Sequence, residues 1–550
     1  METNTCEHCG AGFTITPRER DHYTQVNSVE PTICVTCRHR QHFAFWPFGK
    51  FRKGTSALSG DSLITILPEN ARYPIYTSKE WWSDAWDALD YGQDYDPARP
   101  FFDQLKELQE KVPRPHQQGT NSVGCEWSDD AWDSKNCYLS RSIAKSENLI
   151  YGYRAFECKD SADVSHIYTL DQCYWCTFCF NSYSLYFSFG CHDCLSSAFL
   201  YDCRNCSDCF MCSNLRGKKY CIENIQYTKE EYEKKRNEYD LGSAKTLAEL
   251  QIKFRTMLEE VAVHKEHFNV KTENSSGCFL TNCNDCVSVF SWENSEHCTN
   301  CIRGTKAKDC VDLTGCWMLE LCGNLSCCTS SYDLKYSIWC DNVRYSEYLD
   351  QCLDCEYSFG SVGLRKKKYC ILNKQYTQEE YEVLKEKIIG DMKARGEYGQ
   401  FPPYAMGLCD YAFTTASIYL PDTTKEFVEA RSGVWDTHVE SGVAGMPTEN
   451  LPDSIDEVDE TITKQALICP VTGWRFNIAP EEFAFLKNKH IALPRKHFDV
   501  RTKERMRYLA TTRSYAGKCC FCKKSIDAYY PPEWGYTHIA CEGCYQKEVN

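Results

Sequence analysis

The feature that most constrains the fold is a strict period of three in the character of the residues. From Ser140 to Leu215 every third residue is small or aliphatic, and the same holds from Val289 to Leu364 with Trp292 as the only bulky exception. A helix repeats its buried face every 3.6 residues or so and a strand every second residue, so neither sustains a period of about three. A stack of coils does, if each coil is a whole number of three-residue steps. The pattern therefore predicts two β-solenoid domains in a mostly β chain with some α-helix.

The leucines within the pattern indicate a coil length. They follow one another at intervals of 15 residues in both segments: Leu170, Leu185, Leu200, Leu215, and Leu319, Leu334, Leu349, Leu364. We therefore predict coils of about 15 residues, the spacing between these leucines.

Composition restricts the compartment and the partners. The chain has 550 residues, 38 cysteines and a formal net charge of −15. The first ten residues contain no apolar run typical of a secretion signal, and no stretch of about 18 apolar residues occurs, so we expect no membrane partner. Cysteines in Cys-x2-Cys pairs without a signal indicate a reducing compartment, and we predict a cytoplasmic protein. The negative charge argues against a broad electrostatic grip on nucleic acid.

Both ends carry the spacing of a zinc ribbon, in which each Cys-x2-Cys turn points two sulfurs at one ion. The predicted ligands form two sets of four: Cys6, Cys9, Cys34, Cys37, and Cys519, Cys522, Cys541, Cys544. We predict one structural zinc ion in each set, two in all.

Each end also contains a weaker copy of a ribbon. Shifting the N-terminal ribbon by 463 residues places Cys6, Cys9, Cys34 and Cys37 over Cys469, Thr472, His497 and Val500. Shifting the C-terminal ribbon the other way places its first pair over Ser56 and Ser59, with Thr77 and Glu80 near its second pair. We expect neither copy to hold a full metal set, although Cys469 and His497 leave a two-ligand site open.

The remaining cysteines follow the period of three, so they belong to the coil interior. Two interpretations remain open. Cysteine can be a small buried side chain that exchanges with serine, valine and leucine, or adjacent thiols can bind zinc, copper(I) or an iron–sulfur cluster. Matched positions of the two segments often differ, for example Cys194 against Val343, and this favours packing.

Outside the coils, the sequence predicts aromatic columns and helical caps. Outward aromatic residues recur at the predicted coil spacing, namely Tyr138, Tyr153, Tyr168 and Tyr183. Thr228-x-x-Glu231 and Thr377-x-x-Glu380 have the pattern of capping boxes, which start helices after each solenoid. A further helix is expected from about Ala244 to Lys265.

These observations predict ten segments. They are a zinc ribbon (1–50), a degenerate ribbon (51–92), a linker (93–120), the first solenoid (121–227), a helical cap with a linker helix (228–272), the second solenoid (273–376), a helical cap (377–396), an irregular acidic linker (397–463), a basic degenerate ribbon (464–515) and a zinc ribbon (516–550).

Several motifs carry a resemblance to a known group of proteins. They are Cys-Glu-His-Cys-Gly-Ala-Gly-Phe at 6–13, Glu-Trp-Trp-Ser-Asp at 80–84, Arg-Pro-Phe-Phe at 99–102, Leu-Pro-Arg-Lys-His at 493–497, and Lys-Lys-Tyr-Cys at 218–221 and 367–370. With these motifs the chain resembles cysteine-rich proteins of small-genome, uncultivated bacteria that carry terminal "probable zinc-ribbon" modules. The resemblance covers nearly the whole chain and implies the architecture without implying an activity. Ser56 and Ser59 depart from it, because cysteines would be expected there.

No catalytic motif emerges, and we expect a non-enzymatic scaffold that binds a protein partner. A second hypothesis is an RNA- or ribosome-associated protein, because basic residues surround the degenerate ribbon near the C-terminus. The candidate nucleic-acid contacts are Lys487, Lys489, Arg495, Lys496, Arg501, Lys503, Arg505 and Arg507. A third hypothesis is a metal or thiolate store, or an iron–sulfur or redox protein, that uses the coil thiols. The sequence does not identify a small-molecule substrate.

Overall fold

A computed structural model of the chain describes residues 3–284, 286, 289–293, 299, 302, 310–316, 323, 325–326, 330–436, 444–507 and 511–549. These residues form mostly β-sheet with some helices, and the chain divides into two compact units. Unit 1 comprises residues 1–117 and 267–437, and unit 2 comprises residues 118–266 and 438–550. Unit 1 therefore combines the N-terminal part of the chain with the second period-three segment, and unit 2 combines the C-terminal part with the first. The ten predicted segment boundaries stay predictions.

The regular elements of unit 2 are as follows. Its strands are Asp129–Trp132, Arg141–Ala144, Glu147–Ile150, Tyr153–Phe156, Lys159–Asp171, Tyr174–Thr177, Phe180–Tyr186, Leu195–Tyr201, Ser207–Ser213, Lys219–Ile222, Ile225–Gln226, His264–Lys265, Met446–Pro447, Leu467–Ile468, Arg475–Phe476, Tyr515–Lys518, Ser525–Ala528 and Ile539–Ala540. Its helices are Lys229–Arg236, Ala244–Glu260, Pro480–Lys489, Phe498–Met506 and Glu542–Val549.

The regular elements of unit 1 are as follows. Its strands are Asn4–Thr5, Gly12–Phe13, Arg52–Thr55, Ser62–Thr65, Ile75–Tyr76, Arg114–Pro115, Gly277–Thr281, Val289–Glu293, Tyr332–Lys335, Arg344–Glu347, Glu356–Phe359, Lys368–Ile371 and Lys374–Gln375. Its helices are Pro17–Gln25, Val35–Phe43, Ser78–Trp81, Phe101–Lys111, Gln378–Ala394, Ala416–Tyr419 and Lys425–Glu429.

Each unit is built on a stack of parallel strands whose partners are twelve residues apart in sequence. In unit 2 this stack, the first ladder, runs from residue 129 to 222, with Tyr153 opposite Ser165 and Leu195 opposite Ser207. In unit 1 the second ladder runs from residue 332 to 371, with Tyr332 opposite Arg344. Part of the second period-three segment, including Cys327, lies outside the described residues.

The predicted coil length of about 15 residues is wrong, because the strand partners lie twelve residues apart. Leu170 pairs with Ser182 and Leu185 pairs with Ser197, so successive leucines do not face one another. Residues separated by any multiple of three lie on the same buried side, so the leucines stay buried at a spacing of 15 residues. That spacing equals one twelve-residue offset plus one three-residue step. The predicted tyrosine columns are wrong for the same reason: Tyr168 instead stacks between Phe156 and Phe180, with ring centroids 4.8 and 6.0 Å away.

The period of three has a backbone cause. Every third residue from Asp130 to Glu223 has a positive φ, with glycine at only two of these positions, Gly190 and Gly217. A left-handed residue costs about 1–2 kcal/mol when it is not glycine, and asparagine and aspartate tolerate it best. This explains why Asn136 and similar residues precede the buried cysteines.

From Ala131 to Cys212, the residue after each left-handed one is buried in the interior. Ser140 is fully buried, and its hydroxyl accepts a hydrogen bond from the Gly152 amide at 2.9 Å and donates one to the Tyr138 carbonyl at 3.1 Å. The Cys176 thiol likewise donates to the Leu185 carbonyl at 3.2 Å. The buried serine and cysteine side chains therefore form hydrogen bonds with backbone N–H and C=O groups of the ladder. Without them, these backbone groups would be buried without partners.

Helices follow both ladders as predicted. Thr228 and Thr377 each cap a helix through a complete capping box, and the helices they start are Lys229–Arg236 and Gln378–Ala394. The linker helix begins at Ala244 as predicted but ends at Glu260, because residues 264–265 form a strand instead.

Candidate metal centres

Four sulfur atoms converge near the N-terminus, in unit 1. The Sγ atoms of Cys6, Cys9, Cys34 and Cys37 all lie within 4.8 Å of one another, and those of Cys9 and Cys34 are 3.7 Å apart. A tetrahedral zinc ion with Zn–S bonds of about 2.3 Å separates its sulfurs by about 3.8 Å. The four thiols can therefore hold one metal ion, and their number and spacing fit zinc.

A tight turn and a helix start position these thiols. The Cys6 amide donates to the Ala11 carbonyl at 2.9 Å, and Gly10 closes the turn with a φ of 72° that glycine adopts without strain. Cys34 is the N-cap of the helix Val35–Phe43, and its amide donates to the Cys6 sulfur at 3.2 Å. The positive end of a helix favours the thiolate form of cysteine, so this geometry suits metal ligation.

A second group of the same design lies near the C-terminus, in unit 2. Its ligands are Cys519, Cys522, Cys541 and Cys544, whose Sγ atoms also lie within 4.8 Å of one another. The Cys522 and Cys541 sulfurs are 3.7 Å apart. The Cys519 amide donates to the Lys524 carbonyl at 2.9 Å, and the helix Glu542–Val549 begins directly after Cys541.

The thiols of each group share protons through hydrogen bonds. The hydrogen bond with Cys37 lowers the pKa of Cys34 to about 4, and the same bond raises the pKa of Cys37. Burial opposes ionisation of Cys519, but backbone hydrogen bonds lower its pKa to about 6, whereas the hydrogen bond with Cys522 raises the pKa of Cys544 to about 12. If all four thiols of a group lost their protons, their charge would need a cation to balance it, and a metal ion bound there would supply it.

Unit 1 holds another turn-and-helix module, without cysteines. The Ser56 amide donates to the Asp61 carbonyl at 2.8 Å, and Gly60 closes the turn with a φ of 81°. Thr77 is the N-cap of the helix Ser78–Trp81 through a complete capping box. This is the segment that the sequence comparison predicts to be a degenerate ribbon.

The side chains at its ligand positions hydrogen-bond one another. The hydroxyls of Ser56 and Thr77 donate to Oε2 of Glu80 at 2.5 and 2.8 Å. Burial raises the pKa of Glu80, but hydrogen bonds from Ser56, Ser59 and Thr77 outweigh it and lower that pKa to about 2. A carboxylate surrounded by hydroxyl donors thus forms the polar centre of this module.

The fourth module, in unit 2, retains one thiol. The Cys469 amide donates to the Trp474 carbonyl at 2.8 Å, which repeats the turn of the metal centres. His497 is the N-cap of the helix Phe498–Met506, and its Nδ1 accepts a hydrogen bond from the Asp499 amide at 3.1 Å. Burial raises the pKa of Cys469, but hydrogen bonds from the His497 backbone and the Thr472 hydroxyl lower it overall.

The thiols of the first ladder are arranged for packing. From Cys125 to Cys221 they form one buried cluster with the leucines and isoleucines of the interior. Among the residues described by the structure, only the two terminal groups bring three or more metal-ligating atoms within 4.8 Å of one another. The ladder thiols that the structure describes therefore favour the packing interpretation over a metal cluster.

Two of the candidate nucleic-acid contacts are buried. Arg501 and Arg505 are 4 % and 0 % exposed, and each pairs with the buried Asp163 carboxylate, at 2.6 and 2.7 Å. The prediction of nucleic-acid contact is therefore wrong for these two arginines. The sequence shows their charge but not the carboxylate, which lies more than 300 residues away in the chain.

Most of the other candidates bond within unit 2. Lys487 donates to the carbonyls of residues 455 and 458, Lys489 to the Gln172 amide oxygen, Arg495 to the carbonyls of residues 448 and 452, and Lys496 to the Glu504 carboxylate. Lys503 is half-buried and Arg507 is exposed. Nucleic-acid contact by these six residues stays a prediction.

Sequence reasoning missed how the C-terminal centre attaches to its unit. The strand Ile539–Ala540, just before Cys541, pairs in parallel with His264–Lys265. The hydroxyl of Tyr545, on the following helix, contacts the buried Asp202 carboxylate of the first ladder. No local sequence pattern signals either contact.

The N-terminal centre is attached similarly within unit 1. Arg38, on the helix that follows Cys34, places Nε 2.9 Å from the Asp312 carboxylate, and both side chains are buried. His42 on the same helix lies with Nδ1 2.7 Å from the Thr314 hydroxyl. The helix of each candidate metal centre therefore packs on residues far away in the sequence.

Comparison with models of known protein families finds none that matches the chain, and comparison with curated proteins finds no similar sequence. Among the residues that the structure describes, no helix combines the length and the apolar character needed to cross a bilayer.

Proposed function

We propose that the protein is a non-enzymatic cytoplasmic scaffold whose two units are each held together by one structural zinc ion. The observation that carries the proposal is the pair of four-thiol groups, in each of which all sulfurs lie within 4.8 Å of one another and one pair is 3.7 Å apart. Structural zinc sites are closed, with four protein ligands and no open position for a substrate, and their binding energy contributes to folding. The role of each ion is to fix a chain end to a distant segment of the same unit.

The ladders are proposed to be β-solenoids with twelve residues per turn, four three-residue steps. Such stacks provide long, regular surfaces for binding other proteins. The second ladder supports this role with a row of tyrosines, because Tyr345, Tyr357 and Tyr369 stack at centroid distances of 5.0 and 5.4 Å. Tyr345 and Tyr357 are 40 % and 36 % exposed, and aromatic residues are enriched at protein interfaces.

The metal proposal is tested by elemental analysis of protein purified without oxygen. Two zinc ions per chain support it. Absence of zinc, or iron in stoichiometric amount in place of a zinc ion, would contradict it. A metal content clearly above two ions per chain would indicate that the ladder thiols store metal.

The scaffold proposal is tested with the tyrosine row. Immobilised wild-type protein should retain a partner from extracts of the source cells, and a Tyr345→Lys, Tyr357→Lys variant should lose it. Val383→Lys, at another exposed apolar position of unit 1, is the matched control. Retention of the same proteins by all three would argue against this surface.

A further inference from the structure

The two ladders end in the same hairpin turn, with matching residues 149 positions apart in sequence. The stretch Lys-Lys-Tyr-Cys-Ile occurs at 218–222 and again at 367–371, and the turn that follows holds Asn224 in the first ladder and Asn373 in the second. Each asparagine has a positive φ, and its side chain both donates to and accepts from the backbone of one ladder residue eleven positions earlier. The two ladder ends therefore offer the same backbone surface.

In unit 1 this surface is covered by the segment 87–94, which belongs to the same unit. Lys367, at the start of the hairpin, places Nζ 2.7 Å from the Asp87 carboxylate. The Asn373 amide donates a further hydrogen bond to the Ala88 carbonyl at 2.9 Å. A charge pair and a backbone contact therefore hold the first two residues of the segment.

The rest of the segment lies against the turn itself. The Gln93 amide donates to the Leu372 carbonyl at 3.0 Å. A Cβ atom at Gly92 would lie 2.7 Å from the Asn373 carbonyl oxygen, so a side chain there would force the segment away from the turn. With the segment in place, Leu372 and Asn373 are both 0 % exposed.

In unit 2 the matching surface is exposed, as shown by Lys218, Glu223 and Asn224. Within the part of the chain that the structure describes, Lys218 has no carboxylate partner, and the Glu223 carboxylate pairs with Lys253 at 2.5 Å instead. In the same part of the chain the Asn224 amide donates only to the Ser213 carbonyl, without the further bond that its counterpart makes. The first ladder therefore has the groups that hold the covering segment in unit 1, but no segment on them.

We infer that this end of the first ladder docks a short segment of a partner protein, with a carboxylate at the first position of the segment and glycine at the sixth. The carboxylate pairs with Lys218, and the carbonyl of the next residue accepts a hydrogen bond from the Asn224 amide. The backbone N–H after the glycine donates to the Glu223 carbonyl. Main-chain hydrogen bonds of this kind provide affinity, and the charge pair fixes the register.

The partner segment differs from residues 87–94 at its last position. In unit 1, Asp94 pairs with Lys374 at 2.5 Å, but the matching residue of the first ladder is Ile225, which is 58 % exposed. An apolar side chain therefore suits the eighth position better than a carboxylate does. The inference rests on the proposed function only in that the protein binds other proteins, and it places a second binding surface in the other unit.

The experiment titrates the zinc-loaded full-length protein by calorimetry with the peptide Asp-Ala-Leu-Asp-Tyr-Gly-Gln-Leu, acetylated and amidated. The peptide has the sequence of residues 87–93 followed by leucine. We expect saturable binding at one site per chain, because the tethered segment keeps the end of the second ladder occupied. Hydrogen exchange of residues 218–226 should slow when the peptide is added, a readout that needs no variant.

Lys218→Glu should weaken peptide binding about tenfold or more, because it reverses the charge that faces the carboxylate. Lys219→Glu is the matched control, since Lys219 is exposed and its counterpart Lys368 pairs with Glu356 of its own ladder at 2.8 Å. A peptide with lysine in place of its first aspartate should bind Lys218→Glu more tightly than it binds the wild type. A variant that merely failed to fold would not gain this affinity.

Absence of saturable peptide binding, or equal weakening by Lys218→Glu and Lys219→Glu, would overturn the inference. A wild-type dimer that Lys218→Glu converts to a monomer would identify a second copy of this chain as the occupant, and would overturn it as well. The Tyr345→Lys, Tyr357→Lys variant should bind the peptide as the wild type does. Failure of the tyrosine row and failure of this surface are therefore separate results.

Discussion

At the scale of single residues, the ladder interior is shaped by the backbone groups that must be paired there. The left-handed residue at every third position interrupts the regular strand, so strand-to-strand hydrogen bonds do not pair every backbone N–H and C=O group. A buried serine or cysteine can accept a hydrogen bond from a backbone amide twelve residues later and donate one to a nearby carbonyl. Ser140 does this with the Gly152 amide and the Tyr138 carbonyl. The Cys125 sulfur similarly accepts from the Cys137 amide at 3.4 Å. The abundance of cysteine therefore needs no metal to explain it.

Ser140→Ala should destabilise unit 2 by about 1–3 kcal/mol, because it leaves the buried Gly152 amide without an acceptor. Ser140→Cys should cost less, since a thiol fills the same role elsewhere in the ladder. Hydrogen exchange at Gly152 measures the effect directly, with Ser207→Ala at an outward position as the control. Equal protection in Ser140→Ala and the control would contradict this account.

Glu80→Gln should destabilise unit 1 by about 1–3 kcal/mol, because the hydroxyls of Ser56 and Thr77 lose a charged acceptor. The lowered pKa of about 2 means that this stabilisation is present above the ordinary pKa of 4.5 and is lost as pH falls toward 2. The difference in unfolding midpoint between wild type and variant should shrink over that interval. Glu69→Gln, at an exposed position nearby, should show no such pH-dependent difference.

At the scale of elements, one turn-and-helix design occurs four times with different chemistry at its centre. The turn is held by the same hydrogen bonds at Cys6, Ser56, Cys469 and Cys519. The second pair of positions always lies at the start of a helix, and in the two thiol groups and the Glu80 module the four side chains converge. Two centres carry four thiols, one carries hydroxyls around a carboxylate, and one retains a single thiol.

A variant with cysteine at Ser56, Ser59, Thr77 and Glu80 should therefore acquire a metal site. Elemental analysis should give one zinc ion more than the wild type, and a cobalt-substituted sample should show correspondingly stronger thiolate-to-metal absorption. A variant with only the first two positions changed is the control, because two ligands seldom suffice. Equal zinc content in wild type and the four-cysteine variant would show that the shared backbone does not define a ligand geometry.

The sequence predicts the elements where the signal is local. Spacing identifies the eight cysteines that form the two four-thiol groups, the period of three identifies buried positions, and Thr228 and Thr377 identify two helix starts. The twelve-residue offset escapes prediction because every multiple of three preserves the buried side. The burial of Arg501 and Arg505 escapes prediction because the Asp163 carboxylate that pairs with them is remote in sequence.

At the scale of the whole molecule, the order of segments along the chain differs from their grouping in space. Residues 1–117 belong with residues 267–437, and residues 118–266 belong with residues 438–550. Each unit therefore contains one candidate metal centre and one ladder. In both units this ladder is the one farther from the metal centre along the sequence. Closing such long loops costs conformational entropy, and a metal ion bound only in the folded state offsets part of that cost.

Loss of the N-terminal metal should therefore loosen the second ladder and leave the first one intact, although the first is nearer in sequence. Cys9→Ser with Cys34→Ser removes two ligands that are not fully buried, so the change acts through the metal rather than through packing. Hydrogen exchange should accelerate in residues 332–371 and stay unchanged in residues 129–222. Cys522→Ser with Cys544→Ser should give the reverse pattern, and Cys520→Ser, beside the C-terminal centre, should change neither ladder. If the N-terminal variant instead loosened the first ladder, the metal centres would not stabilise the units to which they belong.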